Sequence, residues 1–209
     1  MKGLFLEDDG NVGTAFSHWE FQMFGRDIMA GIGILAQKLS EFTLAAFQDM
    51  GLYHINFDYA DWIYRGNQAG CFLLQNRINN RKLINEMCVI DGSIGCSADT
   101  QFITYCSQFP LTDSIFQKLP IIKCTNPNNS IDNGLFNVFG ESSRCVNILF
   151  GDFPFAACYE VQCMSDHYQI KIDQQILRCE KANKKIKFVI GDFELKLVCP
   201  EFESLCEFE

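Results

Sequence analysis

The placement of cysteine constrains this chain more than any other feature. Eleven are present, at Cys71, Cys88, Cys96, Cys106, Cys124, Cys145, Cys158, Cys163, Cys179, Cys199 and Cys206, and the first seventy residues have none. No pair has the C-x2-C spacing of a zinc knuckle or thioredoxin-like site, and only Cys158 and Cys163, as C-x4-C, approach ligand spacing. The alternatives are a structural zinc site, a reduced chain whose cysteines act as small core hydrophobes, and a disulfide framework. The count and spread favour the framework, with five bridges and one cysteine left over. Each bridge adds about 2–4 kcal/mol, and such density belongs to secreted or cell-surface domains. The expected localisation is therefore extracellular or cell surface.

Composition narrows the partners. Twenty-six acidic residues against seventeen basic ones give a net charge of −9, the wrong sign for a surface that tracks phosphates, so nucleic acid is not expected. With 209 residues and 48% apolar content, the chain can fill one domain of about 100–150 residues and part of another. No apolar run reaches the roughly 18–20 residues of a membrane span. Residues 1–9 turn acidic at Glu7, before a signal-peptide core of about 7–15 apolar residues can form. The odd cysteine count and the missing leader share one explanation: an upstream segment carrying both the signal and the eleventh cysteine's partner.

Local patterns place several elements. Ser40 before residues 41–50, with Gly51 after them, has the form of an N-capped helix stopped by glycine. Thr43, Leu44, Phe47 and Met50 would form its inward face. The spacing of Tyr59, Trp62 and Ile63 predicts a second short helical turn, ended by the glycine-rich residues 66–70, where a domain boundary is expected. Beyond it the period changes to two, as in His167-Tyr168-Gln169-Ile170-Lys171-Ile172-Asp173. Residues 185–190 and 193–198 flank Gly191-Asp192 and predict a hairpin with a tight primed turn. The asparagine-rich residues 125–134 read as a surface loop. They hold the one N-x-S/T sequon, Asn128-Asn129-Ser130, so Asn128 is a glycosylation candidate in a secreted chain.

Only three histidines exist, His18, His54 and His167, so metal or acid–base chemistry must be built from few parts. Residues 5–20, ending in Ser17-His18-Trp19-Glu20, are followed by Met29 in Asp27-Ile28-Met29-Ala30-Gly31, eleven residues after His18. This run resembles the leishmanolysin family of zinc metallopeptidases, a branch of the metzincins. The likeness continues in order through residues 39–53, Asn56-Phe57, Ala60-Asp61 and Gly70-Cys71. It extends to Phe139-Gly140-Glu141-Ser142-Ser143-Arg144-Cys145, residues 158–163, Val198-Cys199-Pro200 and Cys206.

The resemblance implies an α+β fold. Residues 1–66 would be the C-terminal part of a metzincin catalytic domain, and residues 67–209 a cysteine-rich, mainly antiparallel β domain. It implies zinc as cofactor, polypeptides as substrates, His18 as the third zinc ligand and Met29 as the Met-turn residue beneath the metal. The same chemistry requires two further histidines at i and i+4 on one helix face, with a Glu between them polarising the zinc-bound water. The sequence contains no H-E-x-x-H. His54 and His167 lie downstream of His18, whereas the family places that helix upstream, so no residue here is assigned a catalytic role. Leu52 and Arg65 stand where the family commonly has Trp, at packing positions. Glu20 reads as an exposed or helix-capping carboxylate rather than a catalytic acid. Glu7, Asp8 and Asp9 read as a solvated acidic turn rather than a calcium site. Most of the twenty Phe should be core, with Phe150, Phe153 and Phe155 the candidates for exposure.

The expected function is therefore that of a partial leishmanolysin-like zinc metalloendopeptidase, inactive as an isolated chain. One alternative is a non-catalytic, disulfide-bridged binding or adhesion module associated with the cell surface. A third reading is an incomplete chain that folds poorly because the apolar face of its helix is left uncovered.

Overall fold

Two kinds of local order build this chain, short capped helical turns near its start and paired strands beyond. The structure, a computed structural model, describes residues 6–8, 13–31, 33, 37–61, 87–88, 92–108, 116–131 and 134–206. Cys71, Asp9, Trp62, Ile63, Arg65 and the expected boundary at residues 66–70 lie outside them. The chain divides into one unit of Met1–Val89 with Gln108–Phe116 and a second of Ile90–Ser107 with Gln117–Glu209.

The first unit contains α1 (Phe21–Phe24), α2 (Glu41–Asp49), a 3-10 turn at Phe57–Tyr59 and the two-residue strand β1 (Met87–Cys88). α2 starts where its sequence predicts, because Ser40 Oγ accepts the Thr43 N–H at 3.2 Å and satisfies one of the helix's orphan donors. It ends as expected, with Gly51 at φ +70° donating its N–H to Gln48 O at 2.9 Å. Thr43 and Leu44 are buried and Phe47 is half-buried. Met50 departs from the expected inward face: it caps the helix and is 60% exposed, because it borders an open cavity instead of a packed neighbour. Tyr59 closes the 3-10 turn, which Asn56 Oδ1 caps by accepting the Asp58 N–H at 2.9 Å. Its ring is exposed and forms no inward face.

In the second unit β2 (Ile94–Cys96), β3 (Phe102–Gln108) and β4 (Phe116–Lys123) lie in the order β4-β3-β2. A six-stranded sheet follows, formed by β5 (Ser143–Phe150), β6 (Phe153–Cys163), β7 (Tyr168–Ile172), β8 (Gln175–Cys179), β9 (Lys185–Ile190) and β10 (Phe193–Val198). Its order is β8-β7-β6-β5-β10-β9, with every neighbouring pair antiparallel. α3 (Phe202–Cys206) ends the described chain. The fold is mostly antiparallel β with few helices, as the alternating patterns predicted. Among the described residues no helix is long and apolar enough to cross a membrane.

Period-two burial supplies the core. Tyr168, Ile170 and Ile172 of β7 point inward with Val146, Ile148, Tyr159, Val161, Leu197 and Leu205, each large apolar side chain contributing about 1.5–3 kcal/mol. The buried Tyr hydroxyls find acceptors, Tyr159 Oη donating to Leu135 O at 2.5 Å and Tyr168 Oη to Pro200 O at 2.6 Å. The sheet's two edge strands are drawn together by Gln175 on β8. Its Nε2 donates to Val189 O on β9 at 2.6 Å, and its Oε1 accepts the Val189 N–H at 3.4 Å. The amide thereby occupies backbone groups that an edge strand would otherwise expose.

All ten described cysteines are disulfide-bonded. Four bridges lie within this unit: Cys96–Cys145, Cys124–Cys158, Cys163–Cys206 and Cys179–Cys199. The predicted hairpin is present, with Ile190 paired to Phe193 across Gly191, whose φ of +57° suits the first central position of a primed turn. A like turn joins Phe150 to Phe153 through Gly151, at φ +59°. The two tips adjoin, the Phe150 and Phe193 rings meeting edge to face at 5.8 Å. Phe150, Phe153, Phe155 and Phe193 are all exposed there.

Burial pushes the Tyr159 and Tyr168 phenols well above the ordinary tyrosine value, so an ultraviolet titration should show these two ionising only beyond the ordinary tyrosine range. Because the folded pKa exceeds the unfolded value of about 10, their contribution is complete below about pH 10 and is lost as the pH rises further. The urea midpoint should fall accordingly. Replacing Cys179 and Cys199 together by Ala opens a 20-residue span and should cost about 3 kcal/mol, read from the same urea curves.

Candidate functional site

The site in the first unit is organised by Asp27, which is fully buried. Its Oδ1 accepts the Met29 N–H at 2.6 Å and the Thr43 hydroxyl at 2.7 Å. Its Oδ2 accepts the Ser40 N–H at 3.3 Å and the Ser40 hydroxyl. Thr43 Oγ1 in turn accepts Trp19 Nε1–H at 2.8 Å. One carboxylate thus joins the turn that carries Met29 to the start of α2 and, through Thr43, to Trp19. Charge-assisted bonds of this kind are roughly twice as strong as neutral ones, and four of them compensate the cost of burying the carboxylate.

Backbone pairing completes the frame. The Trp19 N–H donates to Met29 O at 2.8 Å, and the Glu7 N–H to His18 O at 2.9 Å, so three short segments run side by side around His18. Gly31 packs tightly against them: a Cβ there would lie 2.6 Å from Thr14 Cγ2 and 3.2 Å from Glu7 Cγ. The Asp61 N–H returns to Leu39 O at 2.7 Å, and Asp61 Oδ2 accepts the Leu39 N–H at 2.9 Å.

His18 and Met29 therefore open on one cavity of about 170 Å³, walled also by Phe16, Thr43, Phe47 and Met50. His18 Nδ1 lies 3.1 Å from Thr14 O and 2.9 Å from Ser17 Oγ. A carbonyl only accepts, so its partner assigns the proton to Nδ1 and leaves the Nε2 lone pair available. Ser17 Oγ is itself held, donating to Gly13 O at 2.8 Å. A ring nitrogen bonded to a backbone carbonyl, with the other left free, is the usual arrangement of a metal-binding histidine.

Glu7 departs from the expected solvated turn, and of the two readings for Glu20, exposed or helix-capping, the exposed one fails. Glu7 and Glu20 are each only 2% exposed. The antiparallel bridge between Leu6 and Trp19 folds residues 6–8 back over residues 18–20, and Glu7 Oε2 accepts the Phe21 N–H at 3.1 Å. Glu20 immediately precedes α1, and its carbonyl accepts the N–H groups of Met23 and Phe24, each at 3.0 Å. With the exposed Asp8, the two bring carboxylate oxygens within 4.8 Å of one another, so the acidic turn is partly interior instead of solvated. His54 is exposed in the same unit. His167 belongs to the other unit, where its Nδ1 lies 2.6 Å from Asp166 Oδ1. That hydrogen bond holds the Asp166 carboxyl below the usual carboxylate range. Among the described residues no cluster of three metal-ligand side chains includes a histidine.

Sequence reasoning singled out His18 and Met29 but missed Asp27 and Thr43, which position them. The Ser40 cap and the place of Thr43 on the inward face of the helix lay in view, and neither reveals that Thr43 bonds backwards to Asp27.

The leishmanolysin family profile matches residues 1–119. Leishmanolysin of Leishmania major is 35% identical over 256 aligned positions, covering 99% of this chain and 42% of that protein. The leishmanolysin homolog of Crithidia fasciculata is 39% identical over 72 residues, 34% of this chain and 11% of that protein. A leishmanolysin-like peptidase of Caenorhabditis elegans is 27% identical over 135 residues, 63% of this chain and 18% of that protein. No solved structure matches. The chain belongs to the leishmanolysin family. It spans 42% or less of the length of each of these relatives.

Asp27→Ala should destabilise the first unit by about 3 kcal/mol, since it strands the donors of Met29, Ser40 and Thr43. Thr43→Val should cost about 1 kcal/mol and shift the Trp19 emission. Urea unfolding followed by tryptophan fluorescence measures both.

Proposed function

We propose that this chain is the part of a leishmanolysin-like zinc metalloendopeptidase that supplies the third zinc ligand, His18, and the Met-turn residue, Met29. Residues 1–66 would be the end of the catalytic domain and residues 67–209 the cysteine-rich domain behind it. One observation carries the reading: His18 and Met29 face the same cavity, with Nδ1 of His18 engaged by Thr14 O and Nε2 free to coordinate. Tetrahedral zinc in such enzymes takes three protein ligands and a water, and this chain offers one of the three. The other two, and the Glu that serves as base, would come from an H-E-x-x-H segment upstream. When bound, zinc would lower the pKa of its water toward about 7 and polarise the peptide carbonyl of a polypeptide substrate.

The chain's own residues do the positioning. Thr14 and Ser17 hold the imidazole ring and its tautomer. Asp27 locks the Met29 turn to α2, and the Trp19 N–H bonded to Met29 O keeps ligand and floor in register. The dense disulfides suit an extracellular setting. The alternative, a non-catalytic surface-binding module, draws its support from the exposed Phe150, Phe153, Phe155 and Phe193.

The 209-residue chain should show no peptide hydrolysis and no tight stoichiometric zinc in a calorimetric titration. Tight zinc with hydrolysis abolished by His18→Ala would overturn the inactivity. In a longer protein carrying H-E-x-x-H, His18→Ala should remove both zinc retention and activity, and Ser17→Ala should weaken zinc binding about tenfold. Unchanged zinc retention in that His18→Ala protein would refute the ligand assignment and favour the binding module.

A further inference from the structure

Near its start, the loop between β4 and β5 holds Asn126, Asn128 and Asn129, three asparagines with different surroundings. Its start is pinned by Cys124, which is buried and bridged to Cys158; the Cys124 N–H donates to Gln101 O at 2.8 Å and the Cys124 carbonyl accepts the Gly140 N–H at 3.1 Å. Asn126 and Asn129 use their side chains to shape the turn. Asn126 Oδ1 accepts the Asn128 N–H at 3.1 Å, and Asn126 Nδ2 donates to Asn129 Oδ1 at 3.4 Å. Asn129 Nδ2 donates to Lys123 O at 2.8 Å. Asn128 is exposed, and no hydrogen bond engages its side chain among the described residues. Two positions on, the Ser130 side chain is exposed as well. The asparagine whose amide the turn leaves unused is therefore the one in the sequon.

We propose that Asn128 carries an N-linked glycan. The donor is a polyprenyl-pyrophosphate-linked oligosaccharide. Asn128 Nδ2 bonds to C1 of its first sugar, the C1–O bond to pyrophosphate breaks with the electron pair leaving on pyrophosphate, and the amide nitrogen releases one proton. The transferase reads the Ser130 hydroxyl at the +2 position. The native fold then accommodates the product, because the Asn128 amide makes no bond that the glycan would break, while Asn126, Asn129 and the Cys124–Cys158 bridge hold the loop without it. A bulky, solubilising sugar would sit on the β4–β5 loop.

The test uses the full chain directed into the secretory pathway of a eukaryotic host by an appended signal sequence. Intact mass is measured before and after an N-glycan amidase acts in heavy-oxygen water. The expected result is one glycan-sized mass difference, with the isotope on an aspartate newly formed at position 128. Asn128→Gln and Ser130→Ala should each abolish it, and Ser130→Thr should retain it. A secreted, fully disulfide-bonded chain with unmodified Asn128 would overturn the proposal, as would a mass difference that persists in both disabling variants. If Asn128→Gln is not secreted, the Ser130→Ala and Ser130→Thr pair decides. The readout involves neither zinc nor proteolysis, so it stands or falls separately from the peptidase reading.

Discussion

The buried carboxylate of Asp27 is the interaction on which the first unit depends. A charge removed from water is tolerable only when its oxygens are satisfied, and the four donors come from Met29, Ser40 and Thr43, residues 2 to 16 positions away. Meeting that need forces the Met29 turn, the start of α2 and, through Thr43, the Trp19 side chain into one arrangement. The backbone position of His18 is tied to it, since the neighbouring Trp19 bonds to this cluster through both its side chain and its backbone, while Thr14 and Ser17 hold the ring itself. The cavity floor at Met29 is thus set by a residue that does not touch the His18 ring.

The second unit solves a different problem. Its strands are mostly short, and its six-stranded sheet has two edges that would otherwise present unpaired backbone. Four disulfides staple strands, loops and α3, and the Gln175 amide meets the backbone of Val189 across the two edges. Covalent staples restrict the unfolded chain, whereas the inward Ile, Leu, Val and Tyr side chains stabilise the folded one. The division suits an oxidising compartment, where staples persist. It leaves the hairpin tips free to expose aromatic rings instead of burying them.

Several elements were legible because their signals are local. The Ser40 cap, the Gly51 stop, the period-two burial of β7 and the Gly191-Asp192 hairpin each depend on residues within a few positions of one another, and each formed where its pattern indicated. The expectation for Met50 failed because helical periodicity assumes a neighbour on every inward position, and here one side of α2 borders an open cavity. The burial of Glu7 and Glu20 was hidden for a related reason. Acidic residues are solvated by default, and only the pairing of Leu6 with Trp19 turns these two inward.

The sequence by itself determined the family, through the ordered motifs around His18 and Met29, and the disulfide character of the second unit, through the number and placement of cysteines. Both are properties of residue identity and spacing along the chain. Only the tertiary structure decided which cysteines pair, which nitrogen of His18 stays free, that Asp27 organises the site, and that of Asn126, Asn128 and Asn129 it is Asn128 whose amide stays unused. Those outcomes are set by contacts between residues distant in sequence, such as Cys96 with Cys145 and Trp19 with Thr43. Hydrogen bonding and disulfide closure act on distance in space, which linear spacing does not encode.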